Sequence, residues 1–197
     1  MIIAIAGGTG SGKSKVSARL KELGYRVIDA DEVNRELLSE KEYLDKLKAA
    51  FPECFESGAL NKRKLKELIF HDEGKRKRLN AIAHPEIMKR FIQKTHNSGE
   101  IVFAEIPLFI ESGLSELKYD AVWAVVAGKE RRIERVMARD GVSREFARRM
   151  VEAQEAEEKI AEMADYIIVN DADLQALHQK IDMALKELNG RQNNSTL

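Results

Sequence analysis

Gly7-Gly8-Thr9-Gly10-Ser11-Gly12-Lys13-Ser14, set between the apolar run Ile2-Ile3-Ala4-Ile5-Ala6 and a helix-like segment from Lys15 to Leu23, decides the reading of this chain. It satisfies G-x-x-x-x-G-K-[ST] in the context that pattern demands, a strand before and a helix after. Glycines let backbone N–H groups curl around a phosphate chain, and the following helix N-terminus adds its partial positive charge. Lys13 is expected to reach the β- and γ-phosphates of a nucleotide, and the Ser14 hydroxyl to sit on Mg²⁺. An ordinary glycine-rich strand-to-helix turn would account for some of the glycines, but not for Lys-Ser at the required offset.

Outward from this loop, short β-like runs alternate with longer helical ones. Tyr25 to Ile28 reads as a second strand, with Gly24 stopping the helix before it. The strand runs into Asp29-Ala30-Asp31. Residues 32 to 50 carry a helical pattern that Phe51-Pro52 breaks, and Gly58 lies in a turn-like patch. From Asn61 to Asn97 the pattern stays helical, with Leu65, Leu68, Ile69, Leu79, Ile82, Ile87 and Ile92 at stripe spacing. His84-Pro85 within it reads as the first turn of a new helix. Ile101 to Ile106, Ala121 to Val126 and Tyr166 to Val169 are three further strands, nearly continuous in apolar residues as buried parallel strands are.

This predicts an α/β fold: a phosphate-loop NTPase core with a five-stranded parallel sheet flanked by helices. About seventy residues separate the second strand from the third, where a βαβ crossover needs a dozen or so, so a helical subdomain is inserted there. The expected plan is a single kinase-like domain with a core of residues 1–31, 99–128 and 164–188 and a substrate-binding insertion at about 32–98. A lid occupies about 129–163. A final helix from Leu174 to Leu188 precedes a polar tail, 189–197, expected to be disordered.

Composition bounds the partners. Lys plus Arg and Asp plus Glu both number 33, so no net positive field draws the chain to nucleic acid or anionic lipid. With 44% hydrophobic and 34% charged residues, 197 positions can bury a substantial core. The single Cys54 cannot form an internal disulfide, and no apolar run approaches the ~20 residues of a membrane helix. The first strand begins at the second residue, so no signal peptide is expected. The expectation is a cytoplasmic protein with no membrane and no nucleic-acid partner; no motif specifies monomer or homo-oligomer.

Ligands of open α/β sheets bind beyond the carboxyl ends of the strands, which is where the polar residues matter. Asp29 and Asp31 fall there, and period-two spacing points them the same way if the strand continues that far. One carboxylate could orient a metal and the other take a hydroxyl proton; the lesser alternative is that each caps the next helix. The segment from Lys129 to Gln154 holds arginines at 131, 132, 135, 139, 144, 148 and 149. Most would be solvated, while Arg139, before the Asp140-Gly141 break, and Arg149 are placed to neutralise a transferring phosphoryl group under a closing lid. His84 is at best a substrate contact. Glu111, after Pro107-Leu108-Phe109-Ile110, could face the cleft or cap a helix.

This ordered set resembles the dephospho-coenzyme A kinases along nearly the whole chain. The likeness rests on the phosphate loop, Asp29-Ala30-Asp31 with Arg35, Gly58-Ala59-Leu60-Asn61, Leu79-Asn80 and His84-Pro85. It continues through Ile106-Pro107-Leu108-Phe109-Ile110-Glu111, Arg139-Asp140, Arg149 with Gln154, Glu158-Lys159, Ala164-Asp165-Tyr166 and Asn170-Asp171. It departs from the family's usual pattern at Thr9, Lys15 and Ala172. The resemblance implies transfer of the γ-phosphoryl of ATP, with Mg²⁺, to the ribose 3′-hydroxyl of dephospho-CoA, the last step of CoA synthesis. It implies that Asp31 is the base, with Lys13 and Arg139 as its catalytic companions. ATP would lie on Gly8, Thr9, Gly10, Ser11, Gly12, Lys13, Ser14, Lys15, Arg139 and Asn170, the last near the adenine. Mg²⁺ would lie on Ser14 and Asp29. The acceptor would lie on Asp29, Asp31, Arg35, His84, Leu108, Glu111 and Arg149. Another small-molecule or nucleoside monophosphate kinase on this scaffold, or a non-catalytic nucleotide switch, are the alternatives. The paired Asp29 and Asp31 argue against the switch.

Overall fold

The computed structural model describes residues 1–95, 101–107, 109–110, 112, 114–153 and 157–194. In chain order its elements are β1 (Ile2–Ala6), α1 (Lys13–Glu22), β2 (Arg26–Asp29), α2 (Ala30–Leu37), α3 (Lys41–Ala50), β3 (Phe55–Glu56), β4 (Ala59–Leu60), α4 (Lys62–His71) and α5 (Glu73–Thr95). They continue with β5 (Val102–Glu105), β6 (Ala121–Val126), α6 (Lys129–Asp140), α7 (Arg144–Glu152), α8 (Glu157–Glu162), β7 (Tyr166–Val169) and α9 (Leu174–Asn194).

Two units divide the chain: Met1–Ile28 with Gly99–Leu197, and Asp29–Ser98. The first is built on a five-stranded parallel sheet in the order β2-β5-β1-β6-β7. β1 lies in its middle, Ile3 opposite Phe103 on β5 and Ala121 on β6. Ile3, Ala4, Ile5 and Ala6 are fully buried, the result expected of an apolar run without alternation that has helices on both faces. One face carries a row of rings across the strands: Tyr25 on Phe103 at 5.4 Å, Phe103 on Trp123 at 5.0 Å, and Trp123 on Tyr166 at 5.9 Å between centroids. Such offset and tilted pairs add about 0.5–1.5 kcal/mol each beyond the area they bury. Val16 and Leu20 of α1 and Leu177, Ile181, Ala184, Leu185 and Leu188 of α9 close over this face. Because all strands are parallel, Ala6, Glu105, Val126 and Val169 end on one side of the sheet.

The second unit is mainly helical. Phe51, Cys54 and Leu65 form its centre, with Leu68, Ile69, Leu79 and Ile82 packed against them. Cys54 is a free, fully buried cysteine whose thiol burial pushes up from its ordinary pKa. The turn-like patch at Gly58 is the two-residue loop of a small hairpin: β3 pairs antiparallel with β4, and Ser57 and Gly58 both take positive φ, 50° and 85°.

Several local expectations change. The pattern over 32–50 is two helices, α2 and α3, and the break at residues 38–40 precedes Phe51-Pro52. Pro85 does not start a helix but lies inside α5. The apolar side of α5, with Leu79, Ile82 and buried Ile87, packs through the proline, and that packing outweighs the missing N–H. The second strand ends at Asp29 and Asp31 is already in the first turn of α2, so the period-two argument for the pair fails. The final helix passes Leu188 and reaches Asn194, so the expected tail is helical over most of its length; Gly190 is a modest interior cost and no proline stops the turn sequence. The last three positions lie outside the described residues. Among the described residues no helix is long and apolar enough to cross a membrane.

Candidate phosphate-binding site

The loop from Gly7 to Gly12 joins the carboxyl end of β1 to the amino end of α1. A helix start leaves its first N–H groups without intrahelical partners, and here Gly12 at φ 100° opens the helix with no side-chain cap in the way. Lys13, half-buried, curls back and donates from Nζ to the carbonyls of Gly7 (2.7 Å) and Gly8 (3.2 Å). Burial lowers the pKa of this ammonium; Glu105 opposes the shift, and Arg132 adds to it. A cavity of about 990 Å³ opens over the loop, lined by Gly8, Thr9, Gly10, Gly12, Lys13, Ser14 and Lys15 and by Glu105, Pro107, Arg135, Ala138, Arg139, Asn170, Ala172, Asp173, Leu174 and Leu177. A nucleotide-sized ligand fits that volume.

Most of the expected nucleotide residues are therefore together: the loop, Lys13, Ser14, Lys15, Arg139 and Asn170 line one cavity, and Ser11 is buried within the loop. Arg139, at the end of α6, lies in a two-pronged contact with its neighbour, Nε and Nη2 each 2.7 Å from an Asp140 carboxylate oxygen, which raises its pKa. Asn170 does something the sequence did not announce. Its Nδ2 donates to the Ser11 carbonyl at 2.7 Å, so its amide braces the loop while its neighbours Ala172 and Leu174 offer an apolar wall. A Cβ on Gly12 would meet that Nδ2 at 2.2 Å.

Three further residues join the site. Arg135 donates to the carbonyls of Gly10 (3.3 Å), Ser11 (3.2 Å) and Asn170 (2.9 Å). Arg132, 6% exposed, donates from Nε to the Thr9 carbonyl at 2.9 Å. Glu105 ends β5, the strand beside β1, and its carboxylate lines the cavity with Ser14. An acid closing an apolar strand next to the phosphate loop was a legible signal for Glu105. Nothing in the sequence separates Arg132 and Arg135 from the other arginines of that segment.

Arg149 is not among the cavity residues: exposed on α7, it lies over the Phe146 ring at 5.7 Å. Asp29, Asp31, Arg35 and His84 belong to the second unit. Asp29 is the N-cap of α2, its Oδ1 accepting the Asp31 N–H at 2.8 Å. Asp31 opens to solvent, yet partial desolvation first and the Asp29 carboxylate second hold its pKa above the ordinary value, with Arg35 opposing. Arg35 is exposed on α2, and His84 is half-buried on α5. Leu108 and Glu111, with Gln154, lie outside the described residues.

Mg²⁺ prefers oxygen donors and is held by one or two protein groups together with substrate phosphates. Ser14 and Glu105 offer such oxygens within one cavity, a donor set that fits the ion. Asp29 has one oxygen committed to its cap and one left.

The family model described as CoaE, dephospho-CoA kinase, matches residues 1–176 of this chain. A dephospho-CoA kinase of Thermus thermophilus is 37% identical over 191 residues, covering 96% of this chain and 93% of that one. One from Fusobacterium nucleatum is 30% identical over 185 residues, 92% and 95% of the two chains. The crystal structure of TT1252 from Thermus thermophilus superposes with a TM-score of 0.80 at 36% identity, covering 95% of this chain and 97% of that one.

Proposed function

The chain belongs to the dephospho-CoA kinase family, and from that premise we propose how its residues divide the work. The reaction moves the γ-phosphoryl of ATP to the ribose 3′-hydroxyl of dephospho-CoA, giving coenzyme A and ADP in the last step of CoA biosynthesis. Phosphoryl transfer asks the protein for positioning and charge neutralisation more than for covalent chemistry. Residues 1–28, 99–128 and 164–188 form the nucleotide core, 29–98 the acceptor-binding insertion and 129–163 the lid.

ATP lies in the cavity over the loop, triphosphate against Gly8 to Ser14 and adenine toward Asn170, Ala172 and Leu174. Binding exchanges the two carbonyl partners of Lys13 for phosphate oxygens. Arg139 turns from Asp140 to the same phosphates, so that two cations face the charge that develops on transfer. Ser14 and Glu105 would hold Mg²⁺, with Asp29 as a further donor, and the ion would supply neutralisation of phosphate charge. Asp31 accepts the proton of the attacking hydroxyl. Arg35, His84, Leu108, Glu111 and Arg149 are assigned to the acceptor.

The observation that carries this reading is the single cavity shared by Lys13, Ser14, Glu105, Arg135 and Arg139 at the helix start. ADP production measured with dephospho-CoA against a panel of nucleoside, nucleotide and sugar acceptors tests it. Stimulation by dephospho-CoA above every other acceptor is expected; an equal or larger rate with another acceptor would replace it.

A further inference from the structure

The phosphate loop rests on an ion pair between a buried arginine and a partly buried glutamate. Arg132 and Glu157 face each other with Nη1 3.2 Å from Oε1, their side chains 8% and 16% exposed. Glu157 is held in turn by the Ala127 N–H, which donates to Oε2 at 3.3 Å. From the other side of the guanidinium, Nε reaches the Thr9 carbonyl, and Nη2 has no hydrogen-bond partner among the described residues. That Nη2 occupies the space where a side chain on residue 8 would stand: a Cβ there would lie 2.2 Å from it. The backbone of the same residue fills the next position along, since a Cβ on Gly10 would meet the Arg132 carbonyl at 2.6 Å. The turn Gly8-Thr9-Gly10 is thus shaped against one arginine, and Arg132 is not among the residues that line the cavity.

This arrangement has a cost that packing alone does not require. A buried pair is often no more stabilising than apolar residues of the same volume, so its presence calls for another reason. Arginine meets that reason well: it stays charged, and its planar fork fixes several directions at once. Glu157 sets the plane of the fork, and the fork sets the loop.

We propose that Arg132, oriented by Glu157, is a positioning residue that holds the Gly8–Gly10 turn in the shape that receives the triphosphate, so that α8 contributes to ATP affinity without touching ATP. The proposal rests on the assignment of ATP to this loop. It gives Arg132 a role separate from Arg139, which faces the cavity, and from Arg135, which braces the far end of the loop.

Steady-state kinetics in both substrates, with thermal unfolding alongside, test it on R132K, E157Q and the double variant R132M/E157Q. R132K keeps the charge and loses the fork; KM for ATP is expected to rise about tenfold while KM for dephospho-CoA stays within twofold. E157Q, which keeps the shape of the glutamate side chain, is expected to raise KM for ATP by a smaller factor. The double variant leaves no unpaired buried charge, so its melting temperature should return toward that of the parent while its KM for ATP stays raised. If any of these variants folds with a melting temperature near the parent's and binds ATP within twofold of it, the pair is a staple only and the proposal falls. Failure of the underlying assignment has a different signature: ATP would give no thermal shift on the unaltered chain.

Discussion

Gly8 shows how little freedom a phosphate loop leaves at single positions. A methyl group there would stand 2.2 Å from Arg132 Nη2, a guanidinium already fixed by Thr9 and Glu157. Gly8→Ala is expected to raise KM for ATP at least tenfold, measured by coupled ADP release, with KM for dephospho-CoA little changed. Asp31→Asn should do the reverse: kcat drops about 100-fold or more, as loss of a general base does, with KM for ATP nearly constant. The pH dependence follows from the same carboxylate. A base works deprotonated, so activity is lost as pH falls through its pKa, and desolvation with Asp29 places that limb above the ordinary 3.8. Asp29→Asn removes the second cause and should move the acid limb of kcat to lower pH; a limb that stays put would take the base role from Asp31. Residues fixed by offset from the motif, from Gly8 to Lys15, were legible in the sequence. Arg132 and Arg135 were not, since seven arginines in one charged segment look alike until the helix register turns two of them toward the loop.

Elements were legible where one signal dominated. Ala121–Val126 and Tyr166–Val169 match the apolar runs residue for residue, and Asp140-Gly141-Val142 does interrupt the arginine-rich helix. They were misread where packing overrode a local rule, as at Pro85, or where a few polar residues split one pattern into two helices, as between α2 and α3. The start of α7 is a test of local chemistry. Ser143 caps it, Oγ accepting the Phe146 N–H at 3.2 Å. Behind it, Ala147 and Val151 pack on Ile133 and Val136 of α6. Ser143→Ala should cost about 1 kcal/mol of stability, the usual value of such a cap, read as a lower urea midpoint at unchanged slope.

At the scale of the molecule, the two units carry different halves of the assigned chemistry, the nucleotide cradle in one and Asp31 in the other. Ligand-induced stabilisation should separate them. ATP at 100 times its dissociation constant stabilises the folded chain by about 2.7 kcal/mol, which for a chain of this size raises the melting temperature by roughly 5–10 °C. Lys13→Ala should abolish the shift with ATP and keep the shift with dephospho-CoA; loss of both would mean the variant is misfolded or the sites are not independent. The position of β1 in the sheet has a consequence for biogenesis. Its neighbours are β5 and β6, both more than ninety residues downstream, so β1 leaves the ribosome with neither neighbour to pair with until Val102 and then Ala121 emerge. At about 5–20 residues per second that interval is on the order of 10 s, during which a bare Ile-Ile-Ala-Ile-Ala segment is a target for chaperones, and the most sequence-distant pairings of the fold set its rate.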